Sequence, residues 1–199
     1  MSELPAEIVL KGARLTLRSY RVEDAAMQAE VIRASFAALE PWMPWARADH
    51  STEMAAAWLS SNQEARARGT AYEFAIVDNR SETFLGGAGL NHIDALNKVA
   101  NLGYWVRSDR AKHGIATEAA RLLVTWGFRE LKLNRIEVMV ATENLASQRV
   151  AVKLGATREG VLRRKLELHG RAHDAVLFSL IPSDIEKEKV YAHPGSGRG

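Results

Sequence analysis

The chain has no cysteine. That excludes disulfides, thiolate metal ligands and a cysteine nucleophile, and it fits a reducing compartment. Long apolar runs are also missing: stretches such as AVLFSLI at 175–181 are too short to span a bilayer. The start, MSELPAEIVLKGARL, has no cationic segment ahead of an apolar core, so no signal peptide is expected. No basic run alternates with aromatics, and the balance of 27 Lys and Arg against 24 Asp and Glu leaves a net charge of only +3. The densest basic cluster, Arg163, Arg164 and Lys165, reads as a solvated strand edge. No direct nucleic-acid partner is therefore expected. The histidines His50, His169, His173 and His193 lack metal-ligand spacing, so no metal site is expected. Together these absences point to a soluble, cytoplasmic protein with no membrane partner.

What is there suits one globular domain, because 47% of the 199 residues are hydrophobic and 26% charged. The domain is expected over 7–185. The closing AHPGSGRG is rich in Gly, Pro and Ser, so 186–199 reads as a flexible extension. Residues 8–18 alternate as a strand. Residues 22–38 carry Val22, Ala25, Ala29, Ile32 and Phe36 at helical spacing. The stretch LEPWMPW at 39–45 is an apolar loop, and Ser51 is placed to cap a helix ending near Gly69. Strands are expected at 72–76, 84–91, 99–107 and 135–141, with two more at 156–168 and 173–181. Helices are expected at 115–131 and 144–154. This order gives an α/β (α+β) domain with a mixed sheet.

Chemistry concentrates between Tyr104 and Gly155. A strand ends at Arg107, a cationic loop follows with Arg110, Lys112 and His113, and Gly114 opens a helix. Unpaired N–H groups and the positive end of the macrodipole make such a helix start an anion site, and Gly114 leaves no Cβ in the way. An ordinary strand-to-helix turn is the plainer reading of that loop alone. Asn144 and Ser147 share one helical face at i, i+3, and Asn144 also suits a helix cap. His92 is a candidate general base, the usual role for a histidine near neutral pH. Glu73 alternates against Tyr72, Phe74 and Ile76, which turns it toward solvent.

The segment RAKHGIATEAARLLVTWGF, followed by NRIEVMVATENLASQRVAVKLGATREG, resembles the GNAT acetyltransferases. The likeness is to their RimJ/RimL group, which acetylates protein N-termini and, in relatives, small amines. It extends to ARLTLR, PWMPW, LGGAGL at 85–90, LGYWV and GRAHDAVLFSLI, and the pattern N-x-x-S-x-R-V-x-x-K-L-G at 144–155 is its most specific part. The resemblance implies a mixed, mostly antiparallel sheet of about seven strands, flanked by helices and splayed at the central strands. Acetyl-CoA would wedge into the splay as co-substrate, at a bulge in the strand at 102–107. Backbone groups of Trp105, Val106 and Arg107 would hold the pantetheine arm. Lys112, His113, Gly114, Ile115, Ala116 and Thr117 would hold the pyrophosphate. Asn144 would bind the pantetheine, Ser147 would protonate the leaving thiolate, and Arg149 and Lys153 would lie near the 3′-phosphate or pack on the helix. Trp42, Met43 and Trp45 would wall the acceptor cleft. A water, His92 or Glu73 would take the amine proton.

Two departures stand out. Ala111 occupies a position where Gln or Arg is usual, with Lys112 where relatives often carry Gly. Asn101 stands where many relatives carry the Glu of E-I-G-Y-W. The implied partners are acetyl-CoA and an amine acceptor, a protein N-terminus in the first instance, with a homodimer left open. A small-molecule amine acetyltransferase and a non-catalytic acyl-CoA-binding module are the competing readings.

Overall fold

The structure, a computed structural model, describes residues 7–185; the extension expected at 186–199 lies outside the described residues. Strands β1 (Val9–Lys11) and β2 (Leu15–Ser19) form a hairpin where one strand was expected. Gly12 N donates to Leu15 O at 2.8 Å and closes the turn between them. The expected helix at 22–38 is also divided. A 3₁₀ turn (Val22–Asp24) leads into α1 (Ala25–Ala34) and α2 (Phe36–Leu39). The break falls at Ser35, whose Oγ accepts from Ser108 N at 3.1 Å and ties this corner to the far end of the central strands.

Helix α3 (Thr52–Ala67) begins as expected, with Met54 N donating to Ser51 Oγ at 3.2 Å. Then come β3 (Tyr72–Asp78), β4 (Phe84–Asp94), β5 (Val99–Val106), α4 (Ile115–Arg129), β6 (Arg135–Ala141), α5 (Leu145–Lys153), β7 (Thr157–Leu168) and β8 (Arg171–Leu180). The eight strands form one sheet in the order β1-β2-β3-β4-β5-β6-β8-β7, one strand more than expected because of the N-terminal hairpin. Only β5 and β6 are parallel, and α4 supplies the crossover that a parallel pair requires.

Alternation along the strands assigns the two faces. Leu17, Phe74, Ile76 and Leu90 pack on α4 through Ala119, Leu123 and Val124. Trp126 meets Tyr72 and Phe74 edge-on at 5.2 and 5.5 Å. The opposite face, with Ala75, Phe84 and Trp105, is covered by Val31, Ile32 and Leu39; α1 and α3 join behind it through Ala25, Ala29, Ala55 and Leu59. This second layer corrects the expectation for Glu73. Its parity is opposite to Phe74, as the sequence indicates, but the face it points to is roofed by helices and the 40–50 loop rather than open to water.

Candidate active site

The parallel register of β5 and β6 runs only from Val99–Arg135 to Asn101–Glu137. Beyond it the two strands separate while β5 stays paired to β4 as far as Val106. One edge of β5 is thus left without a neighbour strand in the middle of the sheet. Arg107 N donates to Leu85 O at 2.9 Å, on the β4 side. Strand backbone groups alternate between edges, so the N–H groups of Tyr104 and Val106 face the gap. Of the three backbone positions expected to hold the pantetheine, Val106 faces the gap, whereas Trp105 O lies against Gly86 and Arg107 N is committed to β4. No register shift falls within 102–107 of β5; those near it lie between β3 and β4 at Ile76 and Val77, and between β4 and β5 at Asn91 to Asp94.

The gap opens on a groove of about 420 Å³. Gly114 caps α4 with φ +79°, a left-handed conformation open to glycine, and no side chain caps the helix start. Lys112, Gly114, Ile115, Ala116 and Thr117 line the groove, as do Arg110, Arg149 and Lys153. His113 does not line it: its ring Nδ1 lies 2.9 Å from Ala111 O. Lys112 adopts φ +68°, a left-handed conformation that favours glycine. Glu118, in the first helical turn, would repel an anion, but Arg14 neutralises it through Nε at 2.8 Å and also donates to His113 O at 3.0 Å. Arg14 had no role in the sequence reading. Four cations, a bare helix start and an unpaired strand edge in one groove fit the phosphates and amide-bearing arm of CoA.

Asn144 caps α5, its Oδ1 accepting from Ser147 N at 3.1 Å. The Ser147 hydroxyl lies 3.0 Å from the Tyr104 hydroxyl, which also donates to Ser147 O at 3.2 Å. Burial pushes the Tyr104 phenol up to about 12 against a smaller opposing effect of Ser147, so it keeps its proton at neutral pH.

On the other side of β5 lies a cavity of about 630 Å³. Its walls are largely aromatic, with Tyr20, Trp45, Trp58, Tyr104 and Trp105. Trp45 packs edge-on against Trp105 at 5.9 Å. Glu73 is the one acidic residue in the lining, with Arg47 and His50 as the basic ones. Desolvation pushes the Glu73 carboxyl up to about 7, partly opposed by Asn91 Nδ2, which donates to Oε1 at 3.0 Å. His50 is held below the usual histidine range by burial and by Arg33 and Arg47. His92 is exposed at the β4 irregularity and lines none of these cavities, so it is not brought to the site. Met43 and Trp45 line this 630 Å³ cavity, whereas Trp42 lines the groove beside α4 and a third opening of about 350 Å³ between β5 and β6. Met43 and Tyr104 border all three spaces and form their junction.

The profile of the family described as "Acetyltransferase (GNAT) domain" matches residues 14–157. The Bacillus subtilis (strain 168) protein YdaF is 38% identical over 104 residues, so the match spans 52% of this chain and 57% of that relative. The "Ribosomal-protein-serine acetyltransferase" of Escherichia coli (strain K12) is 27% identical over 143 residues, 72% of this chain and 79% of its own. Among solved structures, "Mycobacterium smegmatis RimJ in complex with CoA-disulfide" superposes with a TM-score of 0.82 at 28% identity, covering 94% of this chain and 92% of that one. Among the described residues no helix is long and apolar enough to cross a membrane. With the splayed strands, the bare helix start and the matched family profile in agreement, this chain belongs to the GNAT acetyltransferase family.

Proposed function

We propose that the protein transfers the acetyl group of acetyl-CoA to the α-amino group of a protein N-terminus. The observation that carries the reading is Glu73, a lone carboxylate in an apolar cavity beside the splay, with its titration moved to about 7. A carboxyl poised there is suited to general-base work at neutral pH. The free amine attacks the thioester carbonyl carbon, and Glu73 takes the proton that the nitrogen must shed. The Val106 N–H is the candidate donor to the oxyanion. As the C–S bond breaks, the sulfur takes a proton from Ser147 Oγ, the Tyr104 hydroxyl at 3.0 Å passes its own proton to Ser147, and Tyr104 at once regains one from water. An N-acetylated product and free CoA thiol leave, and Glu73 returns its proton to water.

The charges in the cavity favour an α-amino acceptor. One carboxylate in a cavity whose other charge is Arg47 suits a single amine, whereas a polyamine or aminoglycoside brings several positive charges that would stay unpaired. An α-amino group, with a pKa of about 7.7–8.0, is also neutral far more often at pH 7 than a lysine near 10.4. The names of the RimJ and ribosomal-protein-serine relatives support the same choice. The aromatic walls favour, as a second reading, a compact aromatic amine. An acceptor panel read by free-thiol release tests all of this. Peptides with free N-termini are expected to release CoA thiol, and N-blocked peptides, spermidine and kanamycin are not. Turnover only with small amines would overturn the N-terminal reading. Absence of thiol release with every acceptor would favour a non-catalytic acyl-CoA-binding module.

A further inference from the structure

The floor of the acceptor cavity is a patch of the central sheet whose register is fixed. Glu73 on β3 is the direct cross-strand partner of Gly89 on β4, and Gly89 in turn is the partner of Gly103 on β5. One row further along, Asn91 on β4 faces Asn101 on β5. All five positions share the face turned to the cavity, because they lie an even number of residues apart along their strands.

This arrangement has two consequences. First, the row that begins with Glu73 has no side chain on β4 or β5. A Cβ at Gly89 would stand 2.0 Å from Glu73 Oε2 and 2.3 Å from its Cδ. The carboxylate therefore lies across β4 in the space that a side chain at 89 would fill. Second, the carboxylate is held by a chain of amides. Asn91 Nδ2 donates to Glu73 Oε1 at 3.0 Å, and Asn101 Nδ2 donates to Asn91 Oδ1 at 2.8 Å. Asn101 thereby fixes which way the Asn91 amide faces. If Asn91 turned over, its oxygen would meet the carboxylate and its NH₂ would meet the NH₂ of Asn101, two repulsive contacts in place of two hydrogen bonds.

We propose that Asn91 and Asn101 are positioning residues for the Glu73 carboxylate, with Gly89 as the clearance that lets it lie across β4. The inference rests on Glu73 being the base. It also accounts for Asn at 101: a Glu there would compete for the Asn91 NH₂ and set a second carboxylate into the same chain, where the two negative charges disfavour each other. The amide chain leaves one negative charge, on the carboxylate at its end. Of the other titratable groups that face the cavity, Tyr20, after β2, and Tyr104, on β5, are pushed up by burial, and His50, before α3, is pushed down. All three are neutral near pH 7, which leaves Arg47 as the one other charge. Helix α1 contributes the neutral Gln28.

The test is the pH profile of kcat for wild type, Asn91→Leu, Asn101→Asp and Asn101→Ser, with acetyl-CoA and a free-N-terminus peptide. Asn91→Leu removes the donor to the carboxylate, and Asn101→Asp turns the Asn91 NH₂ away while adding a charge. Both are expected to move the acid limb up by about one pH unit, lowering kcat about tenfold at pH 6 and much less at pH 9. Asn101→Ser keeps a donor and is expected to stay near wild type. Loss of packing alone would lower kcat equally across the range and leave the midpoint in place. An unmoved midpoint in Asn101→Asp, the nearly isosteric variant, overturns the proposal even if Asn91→Leu fails to fold. Glu73→Gln separates the layers. If it is inactive while both Asn variants keep the wild-type midpoint, only the positioning role fails. If Glu73→Gln keeps full activity, the base assignment fails first.

Discussion

The two cavities on either side of β5 are built from different materials. The CoA groove is mostly backbone: an unpaired strand edge, a helix start at Gly114, and cations carried on exposed side chains. The acceptor cavity is mostly side chain: aromatic walls and one carboxylate, brought together from the end of β2, α1, β3, β4, β5, α3 and the 40–50 loop. Backbone recognition tolerates exchange of many side chains but depends on local conformation. A side-chain site depends on a few identities and on the clearances around them. Perturbing one side should therefore act on binding and perturbing the other on turnover.

The largest effect belongs to the acceptor side. Glu73→Gln is expected to lower kcat by roughly a hundred- to ten-thousandfold, the range for losing a general base, while calorimetric titration gives an unchanged Kd for acetyl-CoA. The same variant reports on stability. Because the native carboxyl titrates near 7 rather than near 4.5, the folded state retains a proton that the unfolded chain has lost. The stability contribution of Glu73 is thus fully present below about 4.5 and is lost as the pH rises through about 7. Thermal unfolding should find the Gln variant gaining on wild type over that window, by up to about 3 kcal/mol. A difference that stays flat from pH 4 to 8 would mean that Glu73 is solvated like an ordinary surface carboxylate.

Ser147→Ala comes next, at about ten- to a thousandfold in kcat. Its hydroxyl meets Tyr104, which stands at the junction of the cavities, so both turnover and binding should be measured. Asn144 and the phosphate loop remain, so the affinity for acetyl-CoA should hold. Tyr104 loses its partner at 3.0 Å but stays protonated, and residual turnover through Tyr104 or water sets the lower end of that range. A kcat equal to wild type would remove Ser147 from the proton path.

The sequence made one side of this comparison far more legible than the other. Gly114 and the cations after Arg107 are contiguous, and Asn144 and Ser147 are one turn apart, so local spacing makes each grouping visible in the sequence. Strand and helix boundaries in this half were also close: β6 matches the expected 135–141, and α5 runs from Leu145 to Lys153. The acceptor side depends on register. Glu73, Gly89, Gly103, Asn91 and Asn101 meet only because β3, β4 and β5 pair as they do, and no local pattern carries that information. Alternation gave the correct face for Glu73 but could not say what covered it. His92 misled for a related reason: it sits at an irregularity that turns the chain with φ +49°, and it ends exposed.

On the CoA side the effects are smaller and fall on binding. Gly114→Val is expected to weaken acetyl-CoA binding more than tenfold. Its side chain would stand at the helix start, and a β-branched residue is strained at φ +79°. Arg110→Ala removes one of four cations in the groove and should cost about 1 kcal/mol at most. Calorimetry on both, with circular dichroism to confirm folding, ranks them. If Gly114→Val binds like the parent, the phosphates do not sit on the start of α4. Acetyl-CoA should also raise the thermal midpoint by mass action, and dephospho-CoA should do so less if Arg149 and Lys153 meet the 3′-phosphate.

The smallest effect is also the one with opposing signs. Lys112 is a non-glycine residue at φ +68° in the phosphate loop, a conformation that costs an ordinary L-residue roughly 1–2 kcal/mol. Its side chain is exposed and lines the groove, so its charge contributes to CoA binding by no more than about 1 kcal/mol. Lys112→Gly removes the strain and the charge together. The unfolded chain also gains freedom from the glycine, which takes back about 0.5–1 kcal/mol. The thermal midpoint without ligand should therefore stay level or rise slightly, while the Kd for acetyl-CoA rises a few-fold and steepens less with falling salt. Lys112→Ala separates the contributions: it loses the charge but keeps most of the strain, so it should match the glycine variant in Kd and fall below it in midpoint. If the two variants have the same midpoint, the left-handed turn at 112 costs the fold nothing. If neither changes Kd, the cation at this position does not meet the phosphates, and Arg110, Arg149 and Lys153 carry that charge.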